Sequence, residues 1–553
     1  MKNLFLLTLG TAFAISTFAQ NLGPNVSGNI ESTFQYLNAD SLIGAAQPQE
    51  KGVLNSYVLL NYSYKNFRAG ARFESYLPHI LGYPERYSGS GIGYKYVGYY
   101  DEKIDFTAGN FYEQFGSGMI FRSYEARGLG FDNAMQGLSV KFRPAKGVEL
   151  KAVYGKMRYE LNGGKLINSD GIVRGVDGMI DFNNLINSFQ NSKFKISAGG
   201  SFVSKFQNIN HSTYNMPKNV GSYGGRMNLE YGNFYATAEH IIKENDPSFD
   251  NGYIYNDGHA TLITGGYSQK GLGIVLMAKS VDNMSYRVDP NAVLTDLNIN
   301  FLPALTKAHT YNLAASLYPY GSILIGEMAF QGDIFYKIPK KTTLGGKYGT
   351  TIKLNMAVAY VPNRDYTGLS DNDSLSRIVY KTGVFNMSDS LLHRDFNIEI
   401  KRKINKNFKV TAKYFNFSFN NKANKVTEEE IKGYIDTHIG VLDMQYKISK
   451  KHSVRTELQG LFTEKDRGNW ATVLVEYNIS PNWFLAVMDQ YNYGHPREDS
   501  RIHYLIGSAG YSFGSTRFMA TYGKQRAGIF CIGGVCRPVP ASNGLTFTMT
   551  SSF

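Results

Sequence analysis

Polar and apolar side chains alternate with a period of two along many segments of this chain. In segment 396–404, one parity is mostly apolar, and the other is polar at Asn397, Glu399, Lys401 and Lys403. Segments 352–360, 408–414 and 454–463 repeat the pattern. Alternation of this length is typical of a strand with one apolar and one polar face. The sequence therefore predicts an all-β fold made of many two-faced strands.

One of these strands changes phase along its length. From Val148 to Tyr154 the apolar residues occupy the even positions, and Lys156 and Arg158 then take the same positions. A β-bulge inserts one extra residue into a strand and so exchanges its faces. We therefore predict a bulge near Gly155.

The connections between strands fall into a short class and a long class. Short polar turns include 65–66, 101–103, 144–147, 232–233, 405–407 and 480–482. Longer polar connections are 39–52, 82–92, 123–134, 209–220, 245–258, 288–307, 362–390, 421–433 and 529–541. Outer-membrane barrels have short periplasmic turns and long extracellular loops. We predict a single large antiparallel transmembrane β-barrel of about 26 strands, within a range of roughly 22 to 26. The count of about 26 assumes that segment 322–361 holds three strands, with turns near Gly332 and Thr343.

Aromatic residues concentrate next to the short turns. The chain has 40 Tyr and 35 Phe, and several precede a turn, at Tyr64, Tyr231, Tyr267, Tyr446, Tyr477 and Tyr511. Phe67 and Trp483 follow one. Aromatic side chains form girdles at both membrane interfaces of such barrels. The pattern predicts contact with outer membrane lipid, although aromatic enrichment is also common in ordinary strands.

The first 19 residues have the pattern of a secretory signal peptide. Lys2 precedes the apolar run 4–13, and the small residues Thr17 and Ala19 precede a cut at Gln20. The apolar run is shorter than the ~20 residues that a spanning helix needs. The predicted organisation is therefore a signal peptide at 1–19 and an outer-membrane β-barrel at 20–553, located in the cell outer membrane.

The formal net charge of +13 leaves two interpretations open. Basic side chains facing the lumen would favour anionic solutes, and basic side chains on turns would meet anionic lipid head groups. They form no stripe with a known nucleic-acid module, so no nucleic acid partner is expected. The chain has no His-Glu-x-x-His or Gly-x-Ser-x-Gly motif. The sequence predicts no enzyme, catalytic residue, cofactor or metal site.

The only two cysteines, Cys531 and Cys536, are separated by Ile532, Gly533, Gly534 and Val535. Two close cysteines in an exported protein predict a disulfide, here in a surface loop. A metal site would need two further ligands, and no histidine is nearby.

Segment 122–134 carries charges of both signs between two strands. They are Arg122, Glu125, Arg127 and Asp132. The segment could fold into the lumen as a constriction lined by opposite charges, or it could form a surface loop. Both interpretations stay open at the level of sequence.

Segments 105–122, 123–127 and 132–134 resemble a family of exported β-barrels from the outer membrane of Bacteroidota, as do 344–349 and 531–537. No molecular function is assigned to the family, and no catalytic or ligand residues transfer from it. Some of its members are linked to protein export through the type 9 secretion system. The resemblance implies partners among the outer-membrane or periplasmic proteins of a secretion or assembly complex.

Three functions follow as expectations. The first is a transport or protein-secretion-related barrel, either a channel or an accessory of an export assembly. The second is a general porin for small solutes. The third is an enzyme with its site at the barrel rim.

Overall fold

Strands with one apolar face close on themselves in the computed structural model, which describes residues 25–46, 48–366, 380–420, 433–532 and 535–553. Side chains are described except at 529–538. One antiparallel sheet holds 25 strands, of which 24 form a closed barrel. The predicted signal peptide, residues 1–19, lies outside the described residues.

The barrel strands run in chain order around the wall. They are β1 Val26–Asn38, β2 Gly52–Tyr64, β3 Phe67–Tyr76, β4 Gly89–Tyr100, β5 Ile104–Phe111, β6 Met135–Ala145, β7 Val148–Asn162, β8 Ile172–Asp181, β9 Phe194–Phe206, β10 Asn219–Tyr231, β11 Phe234–Lys243, β12 Gly258–Gln269, β13 Leu272–Asp282, β14 Gly326–Ile338, β15 Thr350–Pro362, β16 Met387–Lys403, β17 Phe408–Asn420, β18 Tyr434–Lys447, β19 His452–Phe462, β20 Trp470–Ile479, β21 Trp483–Tyr491, β22 His503–Phe513, β23 Thr516–Gln525 and β24 Ser542–Ser552. An extra strand, Lys165–Asn168, pairs with the end of β7. Short two-stranded pairs lie at Gln114–Phe115 with Phe121–Arg122, Glu125–Ala126 with Phe131–Asp132, and Gly528–Ile532 with Val535–Val539.

Antiparallel pairing of β1 with β24 closes the barrel, from Asn29 opposite Ser552 to Asn38 opposite Asn543. Because the number of strands is even, the first strand starts and the last strand ends at the same end of the barrel. Closure pairs the sheet edges that an open sheet would expose. The prediction of one large antiparallel barrel is confirmed, and 24 lies within the predicted range.

The two ends of the barrel differ in the length of their connections. The short-turn end has turns at 65–66, 101–103, 146–147, 232–233, 270–271, 404–407, 448–451, 480–482 and 514–515, with longer links at 182–193 and 339–349. The loop end has the connections 39–51, 77–88, 112–134, 163–171, 207–218, 244–257, 283–325, 363–386, 421–433, 463–469, 492–502 and 526–541. This asymmetry is the one that the sequence predicts.

Segment 322–361 holds parts of two strands rather than three. Gly332 lies in the middle of β14, opposite Leu276 on one side and Met356 on the other. A glycine in a strand leaves the ladder hydrogen bonds intact, so it does not by itself make a turn. The predicted turn near Gly332 is therefore wrong.

The phase change in β7 occurs after the position that the sequence indicates. Pairing with β6 stays in register through Gly155 as far as Met157. The irregularity falls between Arg158 and Glu160, where β7 turns to pair with the extra strand. As a result, Arg158 is 2% exposed and faces the interior.

The outer face at the short-turn end carries paired aromatic rings. Phe234 lies 4.6 Å from Tyr267, and Trp483 lies 4.6 Å from Tyr511, between ring centroids. Trp483 is 50% exposed. Aromatic pairs across neighbouring strands stabilise a sheet, and these pairs lie beside the short turns, where the sequence predicts aromatic side chains.

Within the residues that the structure describes, helical structure is confined to connections. The two short helices are α1 Phe182–Leu185 and α2 Asn312–Ser316, and single 3-10 turns lie at Ser41–Ile43, Arg127–Leu129, Asn187–Phe189, Phe249–Asn251 and Glu498–Ser500. Within the described part of the chain, no helix combines the length and apolar character needed to cross a bilayer.

Candidate functional site in the barrel lumen

Two connections from the loop end fold into the barrel. We call residues 112–134, between β5 and β6, inner loop A, and residues 283–325, between β13 and β14, inner loop B. Both contain fully buried apolar side chains, among them Phe121 and Ile299, each 0% exposed. The sequence predicts 288–307 as a polar loop outside the barrel, and this prediction is wrong because its apolar residues are buried.

Inner loop A extends across the interior from β1 to β11. Arg127 forms an ion pair of 2.7 Å with Glu31 of β1. At the opposite side, the backbone N–H of Ser117 donates to Glu239 of β11 at 2.9 Å. The loop therefore contacts the inner face of the wall over a span of eleven neighbouring strands, nearly half of the barrel.

Inner loop B contacts the next part of the wall, from β10 to β19. The Tyr286 hydroxyl donates to the Val220 carbonyl of β10 at 3.0 Å. His309 pairs with Asp395 of β16 at 2.6 Å. The Leu313 N–H donates to Gln459 of β19 at 3.1 Å. Two polar side chains and one backbone carbonyl of the wall therefore bind this loop.

The two inner loops are joined to each other by backbone hydrogen bonds. The Arg122 N–H donates to the Ile299 carbonyl at 2.9 Å, and the Phe301 N–H donates to the Gly118 carbonyl at 3.0 Å. Asn133 adds a side-chain bond to the Asn298 carbonyl at 2.8 Å. The loops thus form one structural unit inside the barrel.

Apolar clusters fix this unit to the wall. One cluster joins Phe115, Met119, Ile120 and Phe121 of inner loop A to inward residues of β7–β13 and to Tyr286 and Ile299 of inner loop B. A second joins Tyr311, Leu313, Ala314, Leu317 and Tyr318 to Phe415, Phe417, Phe419, Ile435, Ile439, Val441, Leu461 and Trp470. Burying one such side chain contributes roughly 1.5 to 3 kcal/mol, so undocking either loop is costly.

A buried ionic network links inner loop A to β3 and β7. Arg158 binds Glu74 at 2.7 Å and Asp132 at 3.0 Å. Arg72 binds Asp132 at 2.5 Å and Glu125 at 2.9 Å. Arg158 and Glu74 have 1% and 0% of their side chains exposed. Buried charges are tolerated only when each has its partners, so the network specifies one docked position for the loop.

Burial and the neighbouring carboxylate of Asp132 raise the pKa of Glu125, which lies in inner loop A. Two guanidinium groups act against this shift, since Glu125 accepts from Arg72 at 2.9 Å and from Arg127 at 2.8 Å. The pKa of Glu125 is nevertheless raised, so the folded barrel favours its protonated form more than water does.

The four charges predicted as a constriction divide into two groups. Glu125, Arg127 and Asp132 belong to the ionic network on the side of β1, β3 and β7. Arg122 lies apart, with its guanidinium carbon 4.3 Å from the ring of Tyr124 and 4.2 Å from that of Phe301. Their control of a conducting path stays a prediction.

Backbone pairing places Cys531 directly opposite Cys536 in the hairpin of Gly528–Ile532 and Val535–Val539. The side chains of both residues lie outside the described part, so the disulfide stays a prediction.

Sequence reasoning missed Arg72, Glu74 and the whole of inner loop B. The phase change in β7 was the one signal for the network, because it turns Arg158 inward. For inner loop B, the signal was Val288, Ile299 and Leu302 within a connection read as polar. Within the described ranges, no three His, Cys, Asp or Glu side chains are grouped so that they could bind a metal ion.

Comparison with solved structures gives distant similarities. A mutant of the ferric enterobactin receptor PfeA from Pseudomonas aeruginosa is 10% identical, with a TM-score of 0.45, over 96% of this chain and 81% of that one. The copper transporter OprC is 9% identical, with a TM-score of 0.39, over 96% and 83%. The P pilus usher PapC is 7% identical, with a TM-score of 0.30, over 96% and 99%. Similarities at this level identify no function.

No curated protein matches the chain in sequence. One protein family matches it over residues 1–553, and that family, DUF6029, is described as a family of unknown function. This protein therefore belongs to the DUF6029 family.

Proposed function

We propose that this protein is an outer-membrane barrel with a transport or protein-secretion-related role, acting as a gated channel or as an accessory of an export assembly. The observation that carries the proposal is that two inner loops fold into the lumen and are hydrogen-bonded to each other and to the wall. A wall of 24 strands encloses more space than side chains alone fill. Loops that occupy this space regulate what passes through it.

The outer surface supports a location in the outer membrane. Large apolar side chains point outwards along the strands, as at Leu276, Val487 and Leu505, which are 61%, 55% and 56% exposed. An exposed apolar band with aromatic residues at its edge is the surface that a transmembrane barrel presents to lipid. Lipid contact would cover this apolar surface, whose exposure to water is unfavourable.

A general porin is the less favoured alternative. Porins keep a water-filled channel through the barrel, whereas here apolar clusters and a buried ionic network lie inside it. An enzyme is less favoured still, since polar side chains in the lumen, such as Asp395 and Gln459, are engaged in bonds to the inner loops.

Conductance in planar bilayers tests the gated barrel. The Met284 N–H bonds to the Leu324 carbonyl at 2.8 Å, so a short Gly/Ser linker can replace residues 286–322 without opening the barrel. We expect the wild type to be silent and the shortened variant to conduct stably.

The matched control shortens a connection at the loop end that is not an inner loop. Asn492 N–H bonds to the Ile502 carbonyl at 3.3 Å, so the same linker can replace 493–501. This variant should stay silent. Stable, large conductance of the wild type would refute the gated barrel and favour a porin.

The link to secretion needs a separate experiment. Purification from native outer membranes should recover partner proteins of an export assembly, and loss of the gene should change the proteins displayed on the cell surface. Recovery of the barrel alone, together with an unchanged surface proteome, would exclude the accessory role.

A further inference from the structure

Inner loop B lines a cavity of about 670 Å³ that also borders inner loop A and the barrel wall. Its apolar wall includes Phe301, Pro319 and Phe417, and its polar wall includes Arg122, Lys307 and the carboxylate of Asp395. Ligand sites in proteins are typically concave, mostly apolar and supplied with a few placed polar groups. The cavity has this composition and a volume in the usual range.

Arg122 differs from Lys307, the other basic side chain named at this cavity, because no carboxylate neutralises it. Lys307 pairs with Asp333 at 3.0 Å, and the carboxylate of Asp395 is bonded instead to His309 at 2.6 Å and to Asn397 at 2.8 Å. Within the described residues, the side chain of Arg122 has ring contacts and no ion pair. One positive charge at the cavity is therefore available to a ligand.

The position of Arg122 is fixed before any ligand arrives. Its N–H donates to the Ile299 carbonyl at 2.9 Å, and its carbonyl accepts from Asn133 at 3.1 Å. Aromatic rings attract a guanidinium through their faces and leave its N–H groups without acceptors. A guanidinium held in this way can donate two parallel hydrogen bonds to a carboxylate or phosphate.

We infer that this cavity is a binding site for a small amphiphilic anion, in which Arg122 binds a carboxylate or phosphate group and the aromatic wall receives an apolar body. The site goes beyond the proposed transport role, because binding to the resting barrel does not require conduction. Because the side chain of Arg122 is already held in place, less conformational entropy is lost when a ligand binds.

Calorimetric titration of the purified full-length protein in detergent tests the site. The probes are benzoate and phenyl phosphate, with benzyl alcohol as the uncharged probe of similar shape. We expect saturable binding of at least one of the two anions and weaker binding of benzyl alcohol. The two anions separate a carboxylate preference from a phosphate preference.

Arg122→Gln should weaken binding of the anion by roughly tenfold or more, since it removes a charge-assisted bond. The matched control is Arg68→Gln, because Arg68 also lies over an aromatic ring, that of Tyr100 at 4.7 Å, but does not border the cavity. The control should bind as the wild type does. Heat-modifiable migration in gels verifies that both variants are folded.

Equal anion affinity in Arg122→Gln and wild type would overturn the inference. Absence of binding for both anions, or benzyl alcohol binding as tightly as they do, would also overturn it. A silent barrel that binds no anion would leave the gated-barrel proposal intact, so failure of the two proposals is distinguishable.

Discussion

At the scale of single residues, the ionic network around Arg158 decides how inner loop A docks. Its two carboxylate partners, Glu74 and Asp132, come from the wall and from the loop. Removing one member of a buried ionic network leaves its partners as buried charges without compensation. The resulting loss of stability is larger than the net stabilisation that the intact ion pair provides. The network therefore favours one docked position of inner loop A over other positions.

Arg158→Met should lower the free energy of unfolding by about 3 to 5 kcal/mol, because it leaves Glu74 and Asp132 partly uncompensated. Urea unfolding followed by gel mobility of the folded barrel measures this change. Arg174→Met is the control, since Arg174 is exposed on the neighbouring strand and should change stability by less than about 0.5 kcal/mol. Equal effects of the two substitutions would contradict the role of the network.

Glu125 gives the docking of inner loop A a pH dependence. Its pKa is raised above the ordinary value of 4.5 by burial and by Asp132, so the folded protein binds this proton more tightly than the unfolded chain does. The free energy of unfolding must then fall as the pH rises from 4.5 through the raised pKa. Stability curves between pH 4.5 and neutrality should show this decrease.

Glu125→Gln removes the titrating group and should flatten that part of the curve. A slope that stays unchanged in the variant would assign the pH dependence to other groups.

At the scale of elements, connections of the loop end have two different structural roles. The inner loops pack inside the barrel on clusters of apolar side chains. The hairpin of Gly528–Ile532 and Val535–Val539 instead has its own two-stranded ladder. Its register brings the two cysteines of the chain opposite each other, which is the arrangement that a cross-strand disulfide requires.

We therefore expect Cys531 and Cys536 to be oxidised in the exported protein. Alkylation of the denatured, unreduced protein should add no mass, and alkylation after reduction should add two groups. Labelling of both thiols without reduction would show that the predicted disulfide is absent.

At the scale of the whole molecule, the barrel separates an outer apolar face from an interior that contains the two inner loops. The two tryptophans of the chain mark these environments. Trp483 is 50% exposed on the outer face, whereas Trp470 is 1% exposed and packs with inner loop B. Each tryptophan is therefore a natural probe of one environment.

In vesicles that contain brominated phospholipids, Trp483 should be quenched and Trp470 should not. Trp470→Phe and Trp483→Phe are matched variants that leave one emitter each, so their fluorescence can be compared directly. Quenching of Trp470 alone would contradict the proposed orientation of the two faces towards lipid and lumen.

Much of the barrel could be predicted from the sequence because its signals are local. Alternation identifies the faces of strands such as β19, where Arg455 and Glu457 point inwards and Leu458 points outwards. Turn residues identify the short-turn end. The errors at Gly332 and Gly155 arose because a glycine alone fixes neither a turn nor a bulge; the ladder of neighbouring strands decides both.

The sequence by itself determined a closed antiparallel barrel, its strand faces and its unequal ends, because each rests on residues close together in the chain. Only the tertiary structure decided that inner loops A and B fold into the lumen and dock on its wall. That outcome depends on contacts such as Arg72 with Asp132 and Leu313 with Gln459, which join residues far apart in the chain. Alternation along a strand shows that a face is polar, but it cannot show whether water or another part of the chain satisfies that face.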